Sequence, residues 1–235
     1  MTNPDTASPP SGGRDEGSPQ PLAPARRCKT PRDKWISAGK ALVFLAALIP
    51  FGKLLWLGFH DGLGANPIEK ITRTTGWWTL TFLMITLTAT PLRSLSGWGW
   101  PLRFRRMLGL YAFFYASLHF LTYLVLDQFF DWPAIVKDIS KRPYITVGFP
   151  AFVSLIPLAV TSTNKMVQRL GAKRWKQLHR LVYLIAIAGV VHFWWLVKKD
   201  ISEPLQFAGV LAVLLGFRVV GKVWRLQFPP VRKTG

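Results

Sequence analysis

Cysteine is nearly absent from this sequence, and its absence excludes several kinds of site at once. A single cysteine among 235 residues, Cys28, cannot build an internal disulfide framework, a thiolate zinc site or a Cys-ligated iron–sulfur cluster. No CxxCH pattern occurs, which excludes covalently attached c-type haem. The phosphate-binding patterns GxxxxGKS/T and GxGxxG are missing as well.

Acidic residues are also scarce, and the chain carries few charges of any kind. It has 30 Lys+Arg against 11 Asp+Glu, a net charge of +19, yet only 17% of its residues are charged. Soluble proteins average about 25%. Half of the residues are hydrophobic, and the mean hydropathy is +0.23. A strongly basic chain either binds nucleic acid or faces the inner side of a membrane, and the apolar excess favours the membrane.

The chain divides into a tail, a helical domain and a short basic end. Residues 1–34 hold seven of the 18 prolines and little that could be buried, so we predict a disordered, proline-rich tail. Most of the six apolar runs that follow approach the 17–25 residues of a membrane span, at roughly 41–59, 77–92, 107–126, 145–161, 181–197 and 205–221. We predict an all-α membrane protein, a six-transmembrane-helix bundle over residues 35–225 with a short basic end at 226–235.

Basic and acidic residues occupy alternate loops of this predicted bundle. Of the 30 Lys and Arg, 22 fall in the tail, the second and fourth loops and the C-terminal end. Seven acids fall in the opposite loops: Asp61, Glu69, Asp127, Asp131, Asp138, Asp200 and Glu203. The positive-inside rule then places both termini in the cytoplasm. The net charge is therefore a topology signal, and no nucleic-acid partner is expected.

Three of the four histidines lie in or at the end of apolar runs. His119 lies on span three, and His192 lies near the outer end of span five. His179 lies at the cytoplasmic end of span five, among basic residues, where an interfacial role is a stronger alternative. Ionisable residues inside a membrane are functional by default, although a packing hydrogen bond is the competing interpretation. His60 ends span one and is expected at the level of the headgroups.

His119 and His192 are predicted to lie at the same depth. His119 is eight residues before Asp127, and His192 is six before Lys198, so both are near the outer leaflet. Two neutral imidazoles from facing helices at one level make an axial pair for haem iron. Without cysteine, the haem would be non-covalent b-type haem held between helices. An iron with both axial positions filled suits electron transfer.

His179 is not expected to share one iron with His192. It is 13 residues from His192, about 20 Å along a helix and about 140° around it, unless a kink near Gly189 changes the angle. The residue at its depth on span three is Arg105, 14 positions before His119. A second haem there would need a ligand other than histidine, or His179 has another role.

Short motifs in a fixed order cover about residues 38–225. They are Leu63-Gly64-Ala65-Asn66-Pro67, Gly76, Thr90-Pro91-Leu92-Arg93, Arg105-Arg106-Met107-Leu108-Gly109-Leu110, Ser117-Leu118-His119, Arg142-Pro143-Tyr144, Thr161-Ser162-Thr163, Leu170-Gly171, Trp175 and Gln177-Leu178-His179-Arg180-Leu181-Val182-Tyr183. Together they resemble the MsrQ (YedZ) family, haem-binding membrane subunits of the bacterial methionine-sulfoxide reductase system. That family belongs to the ferric-reductase-like transmembrane domains.

The resemblance implies a function in the bacterial inner membrane. Electrons would come from the quinone pool or a cytoplasmic flavin reductase. They would pass to a periplasmic molybdopterin reductase, MsrP, which repairs oxidised methionines in envelope proteins. The implied cofactors are one or two b-type haems and FMN, with His119, His179 and His192 as haem ligands. No residue pattern independently indicates a site for FMN or quinone, and none indicates a catalytic sulfoxide site in this chain.

Two other functions compete with this one. A self-contained ferric reductase or NADPH oxidase would need a nicotinamide- and flavin-binding domain, whereas only about 15 residues follow the last span. A small transporter could use Lys53 and Arg218, which both lie in apolar runs. For each of these cations we expect the side chain to extend to the membrane interface instead.

Overall fold

The computed structural model describes residues 31–227, with side chains for residues 35–221, and this part of the chain forms helices and no strand. The helices are α1 (Pro31–Phe59), α2 (Pro67–Ser96), α3 (Pro101–Leu121), α4 (Trp132–Lys141), α5 (Pro143–Val160), α6 (Asn164–Leu170), α7 (Ala172–Leu178), α8 (Leu181–Leu196) and α9 (Ser202–Gln227). A π-helical segment, Thr122–Asp127, continues α3. The predictions for residues 1–30 and 228–235 lie outside the described residues.

The helix ends follow local sequence signals. Proline occupies the first position of α2, α3 and α5, where its missing N–H has no intrahelical partner to lose. At the start of α2 the side chain of Asn66 accepts a hydrogen bond from the Glu69 N–H at 3.3 Å. Gly97 ends α2 with a left-handed φ of 70°. These signals fix where each long helix enters and leaves the bundle.

Five helical segments are long and apolar enough to cross a membrane, and they confirm an all-helical membrane architecture. They are Trp35–Phe59, Pro101–Asp127, Pro143–Val160, Ala172–Leu196 and Ser202–Gly221. The remaining predicted run, 77–92, lies in α2, which has 30 residues and a length of about 45 Å but is not among the five. The sixth span therefore stays a prediction.

Helix α2 is rich in threonine, yet it lies at the centre of the bundle against α3, α8 and α9. Its hydroxyls donate to carbonyls one turn earlier, as from Thr86 to Phe82 at 2.7 Å, so they enter the core already paired. Leu87 of α2 and Ala112 and Tyr115 of α3 are all 0% exposed. A helix rich in hydroxyl side chains is thus able to form the inner wall of the site.

A tyrosine attaches α1 to α3 where a proline interrupts α1. Pro50 lies inside α1 and has no N–H for the helical ladder. Beside it, the Tyr115 hydroxyl donates to the Ala47 carbonyl at 2.8 Å and accepts from the Phe51 N–H at 3.2 Å. A polar side chain of a neighbouring helix thus satisfies backbone groups at a proline, as membrane interiors require.

The helix that contains the fifth predicted run, 181–197, does not continue back to His179. Helix α7 ends at Leu178 and α8 begins at Leu181, so His179 lies in the turn between them. The angle expected from one ideal helix between His179 and His192 therefore does not apply. Gly189 does not interrupt α8; a Cβ there would lie 2.8 Å from Leu80 Cδ2, so this glycine permits close packing of α8 on α2.

Candidate functional site

His119 of α3 and His192 of α8, predicted to share one depth, are neighbours in the structure. Their ring centroids are 6.0 Å apart and their planes are nearly perpendicular, at 86°. Helices α5 and α2 supply the other walls of the site, because each histidine also contacts one of them. The two side chains come from separate candidate spans, which makes this a site between helices.

Both histidines are held by the same kind of contact, from Nδ1 to a backbone carbonyl of a neighbouring helix. His119 Nδ1 lies 3.0 Å from the carbonyl oxygen of Thr72, and His192 Nδ1 lies 2.6 Å from that of Tyr144. Four residues after each carbonyl comes a glycine that faces the same ring. A Cβ on Gly76 would lie 3.1 Å from His119 Cε1, and a Cβ on Gly148 would lie 2.5 Å from His192 Nδ1. The glycines let each imidazole reach the backbone of the neighbouring helix.

These contacts leave each ring prepared to bind a metal. A carbonyl only accepts, so each Nδ1 carries the proton, and the lone pair is on Nε2. Metal-binding histidines usually donate their other N–H in this way. A histidine nitrogen binds a metal at about 2.0–2.1 Å and the ring centre lies about 1 Å behind it, so two axial imidazoles have centres about 6 Å apart. The observed 6.0 Å fits one iron between the two rings.

The remaining ligands of such an iron would have to come from a macrocycle. Residues 35–221 contain no group of three or more His, Cys, Asp or Glu side chains able to hold a metal ion. An aromatic ring adjoins the pair: the Tyr144 centroid lies 6.0 Å from that of His192. The donor set and its apolar surroundings fit a haem better than a hydrated metal ion.

His179 lies apart from this pair and has a different environment. Its ring stacks on Trp175 at 3.9 Å, and its Nδ1 lies 3.1 Å from the Trp175 carbonyl, one turn earlier. Its Nε2 is buried near the Leu158 carbonyl but makes no hydrogen bond. A buried ring nitrogen without a well-formed hydrogen bond calls for an explanation, and a ligand position is one. The structure does not place a second histidine beside it.

His60 has the same local contacts but is exposed, as expected for a residue at headgroup level. It stacks on Trp56 at 3.9 Å, and its Nδ1 lies 2.9 Å from the Trp56 carbonyl. No neighbouring helix supplies either contact. His60 and His179, whose Nδ1 contacts a carbonyl four residues earlier, thus differ from His119 and His192, whose Nδ1 contacts a neighbouring helix.

The end of the bundle beyond His192 has charged side chains and an open cavity. Asp138 pairs with Arg142 at 3.2 Å, and Arg142 donates to the Tyr144 hydroxyl, a hydrogen bond that raises the pKa of the guanidinium. Hydrogen bonds from Ser202 lower the pKa of Asp200. A cavity of about 560 Å³ at the same end is lined by Leu63, Asn66, Glu69, Lys70, Arg73, Thr74, Trp77, Phe193 and Glu203. This end offers a polar surface directly outside the histidine pair.

Arg218 does not extend to the interface as expected from the sequence. Its Nη2 donates to the Leu87 carbonyl of α2 at 2.6 Å, and its Cζ lies 4.8 Å from the centre of the Tyr183 ring of α8. The guanidinium is therefore folded into the bundle. Lys53, the other cation within an apolar run, is exposed on α1.

Sequence reasoning identified the histidines but missed the residues that position them. Gly76 belongs to one of the motifs above and Gly148 to none, and no motif indicates either carbonyl as a partner. The signal was nevertheless present, since Thr72 precedes Gly76 and Tyr144 precedes Gly148 by one helical turn. This spacing indicates a histidine contact only when the side chain that packs against it is known.

Comparisons with known proteins agree on the kind of protein to which this chain is similar. A sequence model of the ferric reductase like transmembrane component matches residues 75–190. A protein of Herminiimonas arsenicoxydans is 60% identical over 182 residues, covering 77% of this chain and 84% of its own. One of Ralstonia nicotianae is 55% identical, covering 82% and 89%, and one of Azospira oryzae is 54% identical, covering 87% and 88%. All three are named protein-methionine-sulfoxide reductase heme-binding subunit MsrQ.

Proposed function

Since the chain belongs to the MsrQ family of protein-methionine-sulfoxide reductase haem-binding subunits, we propose that it carries electrons across the bacterial inner membrane through b-type haem. The donor is the quinone pool or a cytoplasmic flavin reductase. The acceptor is a periplasmic methionine-sulfoxide reductase, MsrP, which repairs oxidised envelope proteins. The chain itself provides the conduit and no sulfoxide site.

The observation that carries this proposal is the His119–His192 pair. The centroids of two rings from different helices lie 6.0 Å apart, and the Nδ1 of each ring contacts a backbone carbonyl. A packing role would not require two glycines that bring both rings against helix backbones. The arrangement supports two axial ligands for one haem.

The protein residues define what this site does. When bound, haem supplies a one-electron carrier. His119 and His192 would hold the iron from both sides, and an iron held in this way would have no position left for a sulfoxide oxygen. The Thr72 and Tyr144 carbonyls hold the rings in one tautomer and orientation, and fixed ligands reduce the rearrangement that accompanies a change in iron charge. These features favour electron transfer over oxygen-atom chemistry.

His179 supports a second ligand position at the other end of the bundle. Its buried Nε2 has no hydrogen-bond partner. A haem bound there would shorten the electron path from the cytoplasmic side, with both termini in the cytoplasm as the basic loops predict. FMN belongs to the proposal through family resemblance alone.

Stepwise reoxidation tests the proposal directly. The purified full chain is reduced with one equivalent of dithionite under argon, and the haem absorbance is followed. We expect b-type bands that persist with methionine sulfoxide alone or with MsrP alone, and reoxidise when both are present. His119→Ala should remove most of the signal of the outer haem, whereas His60→Ala, a matched histidine outside the pair, should preserve it.

Two results would contradict the proposal. Colourless, folded protein would exclude a haem conduit and favour the transporter. Reoxidation by methionine sulfoxide alone at an enzymatic rate would place catalysis in this chain.

A further inference from the structure

Arg218 replaces a hydrogen bond that a proline removes from α2. In a regular helix the Leu87 carbonyl would accept from the N–H of residue 91, but that residue is Pro91, which has none. Arg218 of α9 supplies the donor instead, with Nη2 at 2.6 Å from the Leu87 oxygen. This contact accounts for one N–H of the guanidinium.

The rest of the guanidinium remains without a partner. Nε and Nη1 are both buried and make no hydrogen bond, while the Tyr183 ring covers one face. Leaving buried donors of a charged group unsatisfied is costly, and more so inside a membrane. A carbonyl acceptor alone would have been served by a smaller, neutral donor. The charge and the additional donors are unused by the protein.

No carboxylate among the described side chains neutralises Arg218. Every acid among the described side chains lies in or near the connections at the opposite end of the bundle, namely Asp61, Glu69, Asp127, Asp131, Asp138, Asp200 and Glu203. The charge that acts on Arg218 from nearby is that of Arg105, which has the same sign. An anion from outside the described chain would relieve both the repulsion and the missing hydrogen bonds.

Arg105 also acts on His179, so two unsatisfied groups share this end of the bundle. His179 offers a buried nitrogen able to bind a metal, and Arg218 offers buried donors able to bind an anion. Tyr183, whose ring lies beneath the guanidinium, follows His179 by four residues. A ligand that combines a metal with a carboxylate, as haem does, would satisfy both groups.

We propose that Arg218 binds an anionic oxygen group of a cofactor held at the His179 end of the bundle. Nη2 has a second N–H, and together with Nε or Nη1 it presents the two-pronged edge that carboxylate and phosphate accept. The carboxylate of a haem propionate and the phosphate of a flavin share this chemistry. The proposal extends the proposed function and does not depend on the His119–His192 pair.

The decisive experiment separates the anion role from the repair of α2. In Pro91→Ala, residue 91 regains the N–H that the Leu87 carbonyl needs, so Arg218 is no longer required there. Arg218→Met, Pro91→Ala and the double variant are prepared as full chains in lipid nanodiscs. Lys53→Met, which removes an exposed cation of α1, is the matched control. Thermal unfolding, haem per protein, flavin per protein and haem midpoint potentials are measured for each.

We expect the double variant to unfold near the parental temperature and still lose a cofactor. The loss should correspond to roughly 10- to 100-fold weaker binding, as expected for a charge-assisted pair. If haem is the ligand, the missing spectral component will be the one that His179→Ala removes, and the component dependent on His119 will persist. If flavin is the ligand, flavin will fall while haem is retained.

Unchanged haem, flavin and potentials in the double variant would overturn the proposal, because Arg218 would then serve only the Leu87 carbonyl. A parent protein that holds neither haem nor flavin would overturn this proposal and the proposed function together. Parental cofactors in the Lys53→Met control are needed to assign any loss to Arg218.

Discussion

Adding one methyl group at Gly148 should disrupt the histidine pair without touching a histidine. An alanine Cβ at this position would lie 2.5 Å from His192 Nδ1, 2.9 Å from its Cε1 and 3.3 Å from its Cγ. The same nitrogen makes the 2.6 Å contact with the Tyr144 carbonyl. Gly148→Ala therefore pushes the ring away from the acceptor that orients it.

The size of the effect follows from these distances. Non-bonded atoms settle at about 3.5 Å or more, so the ring must withdraw by about 1 Å. A metal ligand tolerates deviations of about 0.2 Å, and loss of an outer hydrogen-bond partner typically lowers metal affinity about 10- to 100-fold. Alanine is a better helix former than glycine by about 1 kcal/mol, so α5 itself should not weaken. We expect a loss of bound haem from a helical, folded protein.

A graded series of glycine variants provides the assay. Haem per protein and the reduced-minus-oxidised spectrum are measured for Gly148→Ala, Gly76→Ala and Gly109→Ala. At Gly76 the nearest His119 atom would be 3.1 Å away, and at Gly109 the nearest atom is a Thr86 methyl at 3.8 Å, an ordinary contact. The expected order of haem loss is Gly148, then Gly76, with none at Gly109.

The reasoning would be refuted by full haem content and an unchanged spectrum in Gly148→Ala. An inverted order, with Gly109→Ala the most damaging, would show that helix packing and not ring position limits binding. Circular dichroism of each variant confirms that the helices are retained.

The remaining predictions concern the ligands, the topology and one outer helix. His119→Ala or His192→Ala should remove most of the outer haem, because nothing beside either residue replaces the imidazole; a haemochrome assay showing full content would contradict the assignment. His60→Ala should leave haem content unchanged, and His179→Ala should alter the spectrum only if a second haem is bound. A C-terminal reporter should be active in the cytoplasm, and activity confined to the periplasm would reverse the topology. Asp131→Ala removes the side-chain acceptor of the Ala134 N–H at the start of α4, so hydrogen exchange should accelerate there by an amount equivalent to about 1 kcal/mol, and uniform exchange would argue against this capping role.

Much of the architecture could be predicted because membrane helices satisfy their own backbone. Hydropathy and length predicted six apolar runs, and five of these coincide with candidate membrane spans of the structure. Helix α2 is the instructive exception, since its threonines lower its apolarity while their hydroxyls are paired within the helix. A hydropathy scale treats a threonine as polar even when its hydroxyl already donates a hydrogen bond within the helix.

The pairing of His119 with His192 was also predictable, because depth in a membrane can be counted from the nearest loop residues. Their ring separation of 6.0 Å agrees with that prediction. For His179, counting residues along the chain was less informative. The angle of an ideal helix assumes a continuous helix from His179 to His192, whereas the helix is interrupted at His179. Ligand roles for all three histidines remain predictions for the variants above.

The sequence by itself determined a helical membrane chain and two histidines at one level, because hydropathy and depth act along the chain. Only the tertiary structure decided which backbone meets each side chain. It placed the Thr72 and Tyr144 carbonyls against the imidazoles, and it turned Arg218 toward the carbonyl that Pro91 leaves without a donor. These contacts join helices far apart in sequence, and close packing at glycine or proline is set by both partners together, so neither partner's sequence reveals it alone.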